Sequence, residues 1–406
     1  MPTIGLVGTL DTKGWEYAWL HDRLRALDCD VVLVDAGIGE ARVPADVGND
    51  RVALAAGTDV AALRATGDRG AAVTAMGEGA AAVLAELYAQ GRLDGVLAVG
   101  GSGGSSIAAR AVRDLPIGLP KLIVSTMASG DVSPYVGAKD VTLMYSVVDL
   151  AGVNRVSVRV LGNAAAAMAG MASIPSPVVE DDRPLVAASM FGVTTPAVDA
   201  ARERLDELGY EVLVFHATGS GGRALESLAQ SGLLSGVLDL TTTELADDLV
   251  GGVLSAGPDR LTAAGARGVP QVVAPGALDM VNFGPRDTVP ESFGDRLLYV
   301  HNPTVTLMRT TAEEMGELGR RMAAKLSAAN GPAVLFVPRR GVSALDVEGA
   351  PFHDPKADES CFDALDEGLR GSAVEVEKLD LHVNDPAFGR AMADRLHLMI
   401  TARAAV

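Results

Sequence analysis

Thr3-Ile-Gly-Leu-Val-Gly-Thr-Leu-Asp-Thr-Lys-Gly14 opens as a short apolar run and breaks at Gly8 into a polar turn ahead of a helix-forming segment. A short apolar run suits a strand covered on both faces. A turn rich in glycine and hydroxyls suits the passage from that strand into a helix N-terminus. The device returns at Val96-Leu-Ala-Val-Gly-Gly-Ser-Gly-Gly-Ser-Ser106, which runs into an Ala-rich stretch. Around these two units, strands are predicted at Thr3–Val7, Val31–Asp35, Val96–Gly100, Lys121–Ser125 and Val141–Val147. Helices are predicted at Glu16–Leu27, Thr58–Thr66, Ala71–Gln90, Ser105–Asp114 and Arg155–Met171. Ser173-Ile-Pro-Ser-Pro-Val-Val-Glu-Asp-Asp-Arg-Pro184 then interrupts the pattern, because its three prolines cannot continue a helix.

The alternation resumes after that break. Strands are expected at Leu185–Met190, Glu211–Phe215, Gly236–Leu240, Gln271–Ala274, Leu297–Val300, Ala333–Val337 and Val374–Asp380. Helices are expected at Pro196–Leu208, Arg223–Gln230, Glu244–Leu254, Ala312–Ala328, Ser360–Leu369 and Asp385–Ala402. The fold class is α/β, with two Rossmann-like doubly wound domains built on mainly parallel sheets. The boundaries read as residues 1–175, a linker at 176–184, and residues 185–406.

The 406 residues are 48% hydrophobic and 21% charged, a globular mix that excludes intrinsic disorder as the main state. Aromatics are only 4%, so the cores must be built from Ala, Val, Leu and Met. Lys and Arg number 34 against 52 Asp and Glu, a formal charge of −18. That balance disfavours a general grip on nucleic acid or an anionic membrane, while leaving room for a local phosphate pocket. Two isolated cysteines, Cys29 and Cys361, form no framework and fit a reducing compartment. The N-terminus lacks a basic region before a long apolar run, and no long uninterrupted apolar stretch is present, so the expectation is a cytoplasmic chain.

Chemistry concentrates at the predicted strand ends. In the first domain, Gly8, Thr9, Asp11, Thr12 and Lys13 form a turn whose amides, helix N-terminus and lysine suit an anion. Asp11 reads equally as a metal ligand or a helix cap. The spacing is not that of a Walker A loop. Gly100, Gly101, Ser102, Gly103, Gly104 and Ser105 offer a second cradle where phosphates approach the backbone closely. Asp35, followed by Gly37, sits where a ribose hydrogen bond or a plain turn would place it.

In the second domain, His216, Glu244, Asp279 and His301 each fall at or just beyond a predicted strand end. They are the candidate acid–base set around one small ligand. Gly219, Gly221, Gly222, Arg223 and Asn282 are the candidate substrate contacts, with Arg223 a planar fork for a carboxylate or phosphate. Read singly, each is also a cap or a satisfied rim group. The spacing matches no short metal motif, so no metal set is assigned.

Gly8-Thr-Leu-Asp-Thr-Lys13, Val34-Asp-Ala-Gly37, Gly100-Gly-Ser-Gly-Gly104, His216-Ala-Thr-Gly219, Thr241-Thr-Thr-Glu244, Leu278-Asp-Met-Val-Asn-Phe283 and Phe352-His-Asp-Pro355 together resemble the Tm-1-like ATP-binding family, over essentially the whole chain. The resemblance implies two Rossmann-like subdomains, ATP with Mg²⁺ in the first, and a homodimer. It carries nucleotide contact onto Thr9, Asp11, Thr12, Lys13 and Gly100–Ser105. The family's plant member has an additional barrel domain, so a separate barrel-domain protein is an expected partner. The function expected is that of an enzyme using ATP on a small metabolite held between the two domains. The alternative is a non-catalytic, nucleotide-dependent interaction module. An NAD-dependent oxidoreductase is disfavoured, because no GxGxxG opens the first unit.

Overall fold

The computed structural model describes residues 1–174 and 182–404. Most of the expected linker, 176–184, therefore lies outside the described residues. The chain divides into two compact units, Met1–Val179 and Glu180–Val406.

In the first unit, β1 (Thr3–Gly8), β2 (Asp30–Asp35), β3 (Gly95–Gly100), β4 (Lys121–Ser125) and β5 (Thr142–Tyr145) form one parallel sheet in the order β2-β1-β3-β4-β5. Alternation along each strand splits the core in two. Ile4, Leu6, Leu97 and Val99 pack with Leu20 and Leu24 of helix Leu10–Arg25 and with Leu161 and Met168 of helix Ser157–Ser173. Val7, Val96 and Ala98 face the other way, onto Met76, Ala80 and Leu84 of helix Arg69–Ala89 and Ile107 of helix Ser102–Val112. Helix Arg69–Ala89 has the length and hydropathy of a membrane span, but half of that window is buried in this second layer. The strand order reverses between β1 and β3, and such a switch point leaves a crevice at the carboxyl ends.

The second unit repeats the plan with β6 (Leu185–Met190), β7 (Glu211–His216), β8 (Leu234–Thr241), β9 (Gln271–Gly276), β10 (Met280–Phe283), β11 (Leu298–Asn302), β12 (Val305–Arg309), β13 (Ala333–Pro338) and β14 (Glu375–Leu379). Six of these form a parallel sheet, β14-β13-β9-β8-β6-β7. Leu238, Val272 and Phe336 pack on one face with Leu205 and Phe388; Val273, Leu335 and Val337 pack on the other with Leu318 and Leu365.

The expected strand at Leu297–Val300 does not join that sheet. It is β11 of a separate antiparallel sheet, β10-β12-β11, whose other two strands were not anticipated. Met280–Phe283 is a run of four buried residues, too short to separate from a buried turn by periodicity alone.

Candidate functional site

At the carboxyl ends of β1 and β3, on the two sides of the first unit's switch point, lies a cavity of about 500 Å³. Its polar lining comes from Thr9, Asp11, Thr12 and Lys13 after β1, from the Gly100–Gly104 loop after β3, and from Arg69. Ala36, Ile38, Ala72, Val73, Met76 and Ile107 supply its apolar lining. A cavity of this size, apolar with a few convergent polar groups, has the character of a small-molecule site.

The polar lining is shaped by its own hydrogen bonds. Thr9 Oγ1 and Thr12 Oγ1 lie 2.6 Å apart. Asp11 Oδ2 accepts from the Gly39 amide at 2.7 Å, while Asp11 Oδ1 is buried with no partner among the described residues. Lys13, at a kink in helix Leu10–Arg25 (φ −119°, ψ 18°), donates through Nζ to the Leu150 carbonyl. The helix Ser102–Val112 begins after Gly101, which offers no side-chain cap for its first amides, and Gly101 to Gly104 all line the cavity. Gly100 has to be glycine: a Cβ there would lie 2.7 Å from the Gly104 carbonyl carbon and 2.8 Å from the Ser105 nitrogen.

Three residues of the expected nucleotide set brace the cavity from behind rather than line it. Asp35 is buried and Oδ1 accepts from the amides of Leu10 (3.0 Å) and Gly37 (2.9 Å). Burial pushes its carboxyl above the ordinary range, against those two amides. Its oxygen thus ties the β1 turn to the β2 turn, which corrects the ribose reading. Ser105 is buried, with Oγ 2.6 Å from Ser125 Oγ, and anchors the loop to β4. Gly8 packs under Tyr17, whose hydroxyl accepts from the Val99 amide at 2.8 Å and donates to the Val7 carbonyl, clamping β1 to β3.

The second unit does not gather its candidate set around one ligand. Glu244 is fully buried: Oε1 accepts from the Gly219 and Gly222 amides at 2.6 and 3.0 Å, and Oε2 from Arg260 Nε at 2.6 Å. Arg260, also fully buried, is held besides by Asp239 at 2.5 and 2.6 Å and by Glu226 at 3.2 Å. Glu244 therefore occupies the position an external anion would take at this glycine turn. A buried guanidinium and free turn amides both need an acceptor, and Glu244 satisfies both.

The remaining substrate candidates are also committed. A Cβ on Gly221 would lie 1.8 Å from the His216 carbonyl oxygen. Arg223 donates to the Ser255 carbonyl at 2.9 Å. Asn282 is buried within β10, bonded to Asp247 through its amide at 2.6 Å and its side chain at 3.1 Å. His216 is exposed and stacks on Phe191 with ring centroids 5.4 Å apart. His301 lies exposed on β11, in the antiparallel sheet rather than at a parallel strand end.

Asp279 follows β9 and is fully buried; Oδ2 accepts from Ser343 Oγ at 2.7 Å and Oδ1 has no partner among the described residues. Burial, reinforced by the charge of Asp346 and opposed by Arg309, pushes it up to about 7. No group of three or more His, Cys, Asp or Glu side chains is placed to hold a metal among the described residues.

Residues 2–177 match the N-terminal domain, and residues 183–400 the C-terminal domain, of the uncharacterised protein family UPF0261. The chain belongs to this family. The two UPF0261 domains meet at the division between the compact units. Similar relatives include a UPF0261 protein of Clostridium tetani, 48% identical over 96% of this chain and 97% of that protein, and one of Rhizobium meliloti, 49% identical over the same shares. The tomato protein ToMV resistance protein Tm-1(GCR237) is 44% identical over 80% of this chain, which spans 44% of the tomato protein's length.

Arg69 and the apolar lining of the UPF0261 cavity were not foreseen. Arg69 follows Asp68, which caps its helix through the Ala71 amide, and a capping pair looks alike whether or not its arginine borders a cavity. Nothing local in the sequence places it beside a loop more than thirty residues away. Thr9, Asp11, Thr12, Lys13, Gly37, Gly100, Gly101, Ser102, Gly103 and Gly104, by contrast, are brought together as lining residues.

Proposed function

We propose that this chain is a cytoplasmic ATP-binding protein that holds Mg²⁺–ATP in the cavity of its first unit and uses it on a small metabolite. One observation carries this: a single cavity at the switch point is lined together by a glycine loop, a helix start, two cations and a set of apolar side chains. That combination suits a ligand that carries both phosphates and a flat apolar group. The donor set fits magnesium as well. Asp11 Oδ1 is an orphaned buried carboxylate oxygen of a residue that lines the same cavity as Thr9 and Thr12, and Mg²⁺ is usually held by one or two carboxylates together with substrate phosphates. The ion would neutralise phosphate charge; Lys13, Arg69 and the loop amides would position the chain of phosphates. The resemblance to the Tm-1-like family supports the same ligand and a homodimer, and two buried free cysteines suit a reducing cytoplasm.

A non-catalytic interaction module is the second reading. It is favoured by the tie from Lys13 to the Leu150 carbonyl, in a segment that exposes Val147, Val153 and Val156. A nucleotide competing for Lys13 would act on that surface. The relative named for resistance to a virus fits such a role. The test is calorimetry of Mg²⁺–ATP on the full chain, paired with an assay of ADP formation. Saturable binding is expected. Absence of binding removes the reading, and binding without turnover in the presence of metabolite extracts favours the module.

A further inference from the structure

Helix Ser157–Ser173 carries one charge, Arg159, in 17 residues, whereas 21% of the whole chain is charged. Its inward side, Leu161, Ala164, Ala165, Met168 and Ala169, is buried in the core. The opposite side presents Val158, Gly162, Ala166 and Gly170, spaced four apart and therefore in one row. Val158, Ala166 and Gly170 are exposed, and a Cβ on Gly170 would meet nothing within 4 Å. The solvent side of a surface helix is ordinarily charged or polar, so this row is a shallow apolar groove left open.

A protrusion stands beside it. Contacts from Lys13 to Leu150, Glu16 to Gly152 and Trp19 to Gly162 advance together, so helices Leu10–Arg25 and Ser157–Ser173 run side by side in one direction. Trp19 is partly buried, its ring 3.7 Å from where a Cβ of Gly162 would stand. One turn earlier on each helix, Trp15 and Val158 come abreast on the outer face, where Trp15 is 59% exposed. Val153 and Val156, also exposed, continue the apolar surface. The chain has two tryptophans, and both lie on this face. Tryptophan is largely buried on average and is concentrated at interface hot spots.

A protrusion and a groove on one face suit a two-fold axis, because each copy then offers its protrusion to the other's groove. Charge points to the same occupant. The chain carries −18, and two copies repel wherever that charge is spread. The exposed charges here, Asp22, Arg23, Asp149, Arg155 and Arg159, include both signs and leave the face close to neutral. Two helices side by side, each about 24 Å long and about 10 Å across, outline roughly 500 Å². The exposed valines before Ser157 extend this towards the roughly 800 Å² per partner of a stable interface.

Resting on the homodimer expected above, we propose that the Trp15 ridge and the Val158–Gly170 row form the face on which a second copy of this chain docks. Trp15 of each copy lies in the row of the other.

Light scattering on the full chain at micromolar concentration, with dilution followed by tryptophan fluorescence, tests this. The wild type is expected near twice the 41.7 kDa of one chain. Ala166→Glu sets a charge in the middle of the row. It is expected to raise the dimer dissociation constant by about 100-fold or more and to return the mass to that of one chain. Leu398→Glu, at an exposed apolar position of the second unit, is expected to leave the dimer intact. Diluting the wild type until its mass halves is expected to move tryptophan emission to longer wavelength, while Ala166→Glu emits there at every concentration. A folded Ala166→Glu chain that stays dimeric overturns the assignment, as does a halving of mass with unchanged emission. A wild type of single-chain mass overturns the homodimer itself, and this inference with it. Far-UV circular dichroism matching the wild type shows that the variant is folded. The dilution needs no variant and decides the matter even where Ala166→Glu does not fold.

Discussion

At Gly103 a Cβ would meet only Arg69 Nη2 at 3.6 Å and Val73 at 3.7 Å, ordinary contact distances, whereas at Gly100 it would strike the loop's own backbone at 2.7 Å. Valine at Gly103, the substitution that the glycine pattern alone suggests, is thus less telling than alanine at Gly100. Gly100→Ala is expected to lower stability by about 1–3 kcal/mol, the usual range for overpacking, and to abolish ATP binding. Gly103→Ala is expected to leave melting unchanged. Chemical denaturation and calorimetry on both variants check this, and a Gly100→Ala protein that binds ATP normally removes the loop from the site. Lys13→Ala is expected to weaken ATP about ten- to hundredfold, since a charged hydrogen bond contributes about 1.5–3 kcal/mol. Glu244 belongs to stability instead. Glu244→Ala leaves the Gly219 and Gly222 amides and Arg260 Nε without their acceptor while Asp239 and Glu226 still hold Arg260, so it should unfold at lower denaturant, at a cost of about 1–3 kcal/mol for a buried donor left unsatisfied. A Glu244→Ala chain of wild-type stability would return Glu244 to the candidates for chemistry.

Helix Leu10–Arg25 holds the segment after β5 at two points, Lys13 to the Leu150 carbonyl and Glu16 Oε1 from the Gly152 amide at 2.6 Å. If phosphate draws Lys13 away, one of the two ties is lost. Amide hydrogen exchange across residues 147–153 is then expected to quicken when Mg²⁺–ATP is added. In Lys13→Ala it should be fast from the start and indifferent to nucleotide. Protection that is the same with and without ATP in the wild type refutes the coupling. The parallel strands themselves were legible, because strands covered on both faces read as continuous apolar runs between turn signals, and Lys121–Ser125 and Leu185–Met190 match residue for residue. The antiparallel β10-β12-β11 sheet was not. β11 reads as a strand, but β10 and β12 are short and almost wholly buried, so no alternation marks them.

At the scale of the whole chain, buried carboxyls make stability depend on pH. Burial is the first cause in each case: Asp247 and Asp279 are pushed up to about 7 and Asp358 to about 8. An unfolded aspartate titrates near about 3.9. Between about pH 4 and these raised values the unfolded chain has released protons that the folded chain keeps. Stability therefore falls as pH rises through that window, and levels off above about pH 8. Asp279→Asn removes one of these titrations and should make the decline in melting temperature between about pH 5 and 8 shallower; parallel profiles for variant and wild type would clear Asp279. The expected homodimer is checked by light scattering, where a mass near the 41.7 kDa of one chain excludes it. The sequence by itself determined the two α/β units and the polar turns after β1 and β3, because strand burial, turn chemistry and helix starts are written in neighbouring residues. Tertiary structure alone decided which of those polar groups are free. Asp35 and Glu244 read as site residues, yet they are consumed by amides and by a guanidinium that lie close only once the chain is folded. Arg69 reads as an ordinary helix start, yet packing of its helix against Ser102–Val112 sets it over the glycine loop. A hydrogen-bond partner is a matter of distance in space, and distance along the chain does not encode it.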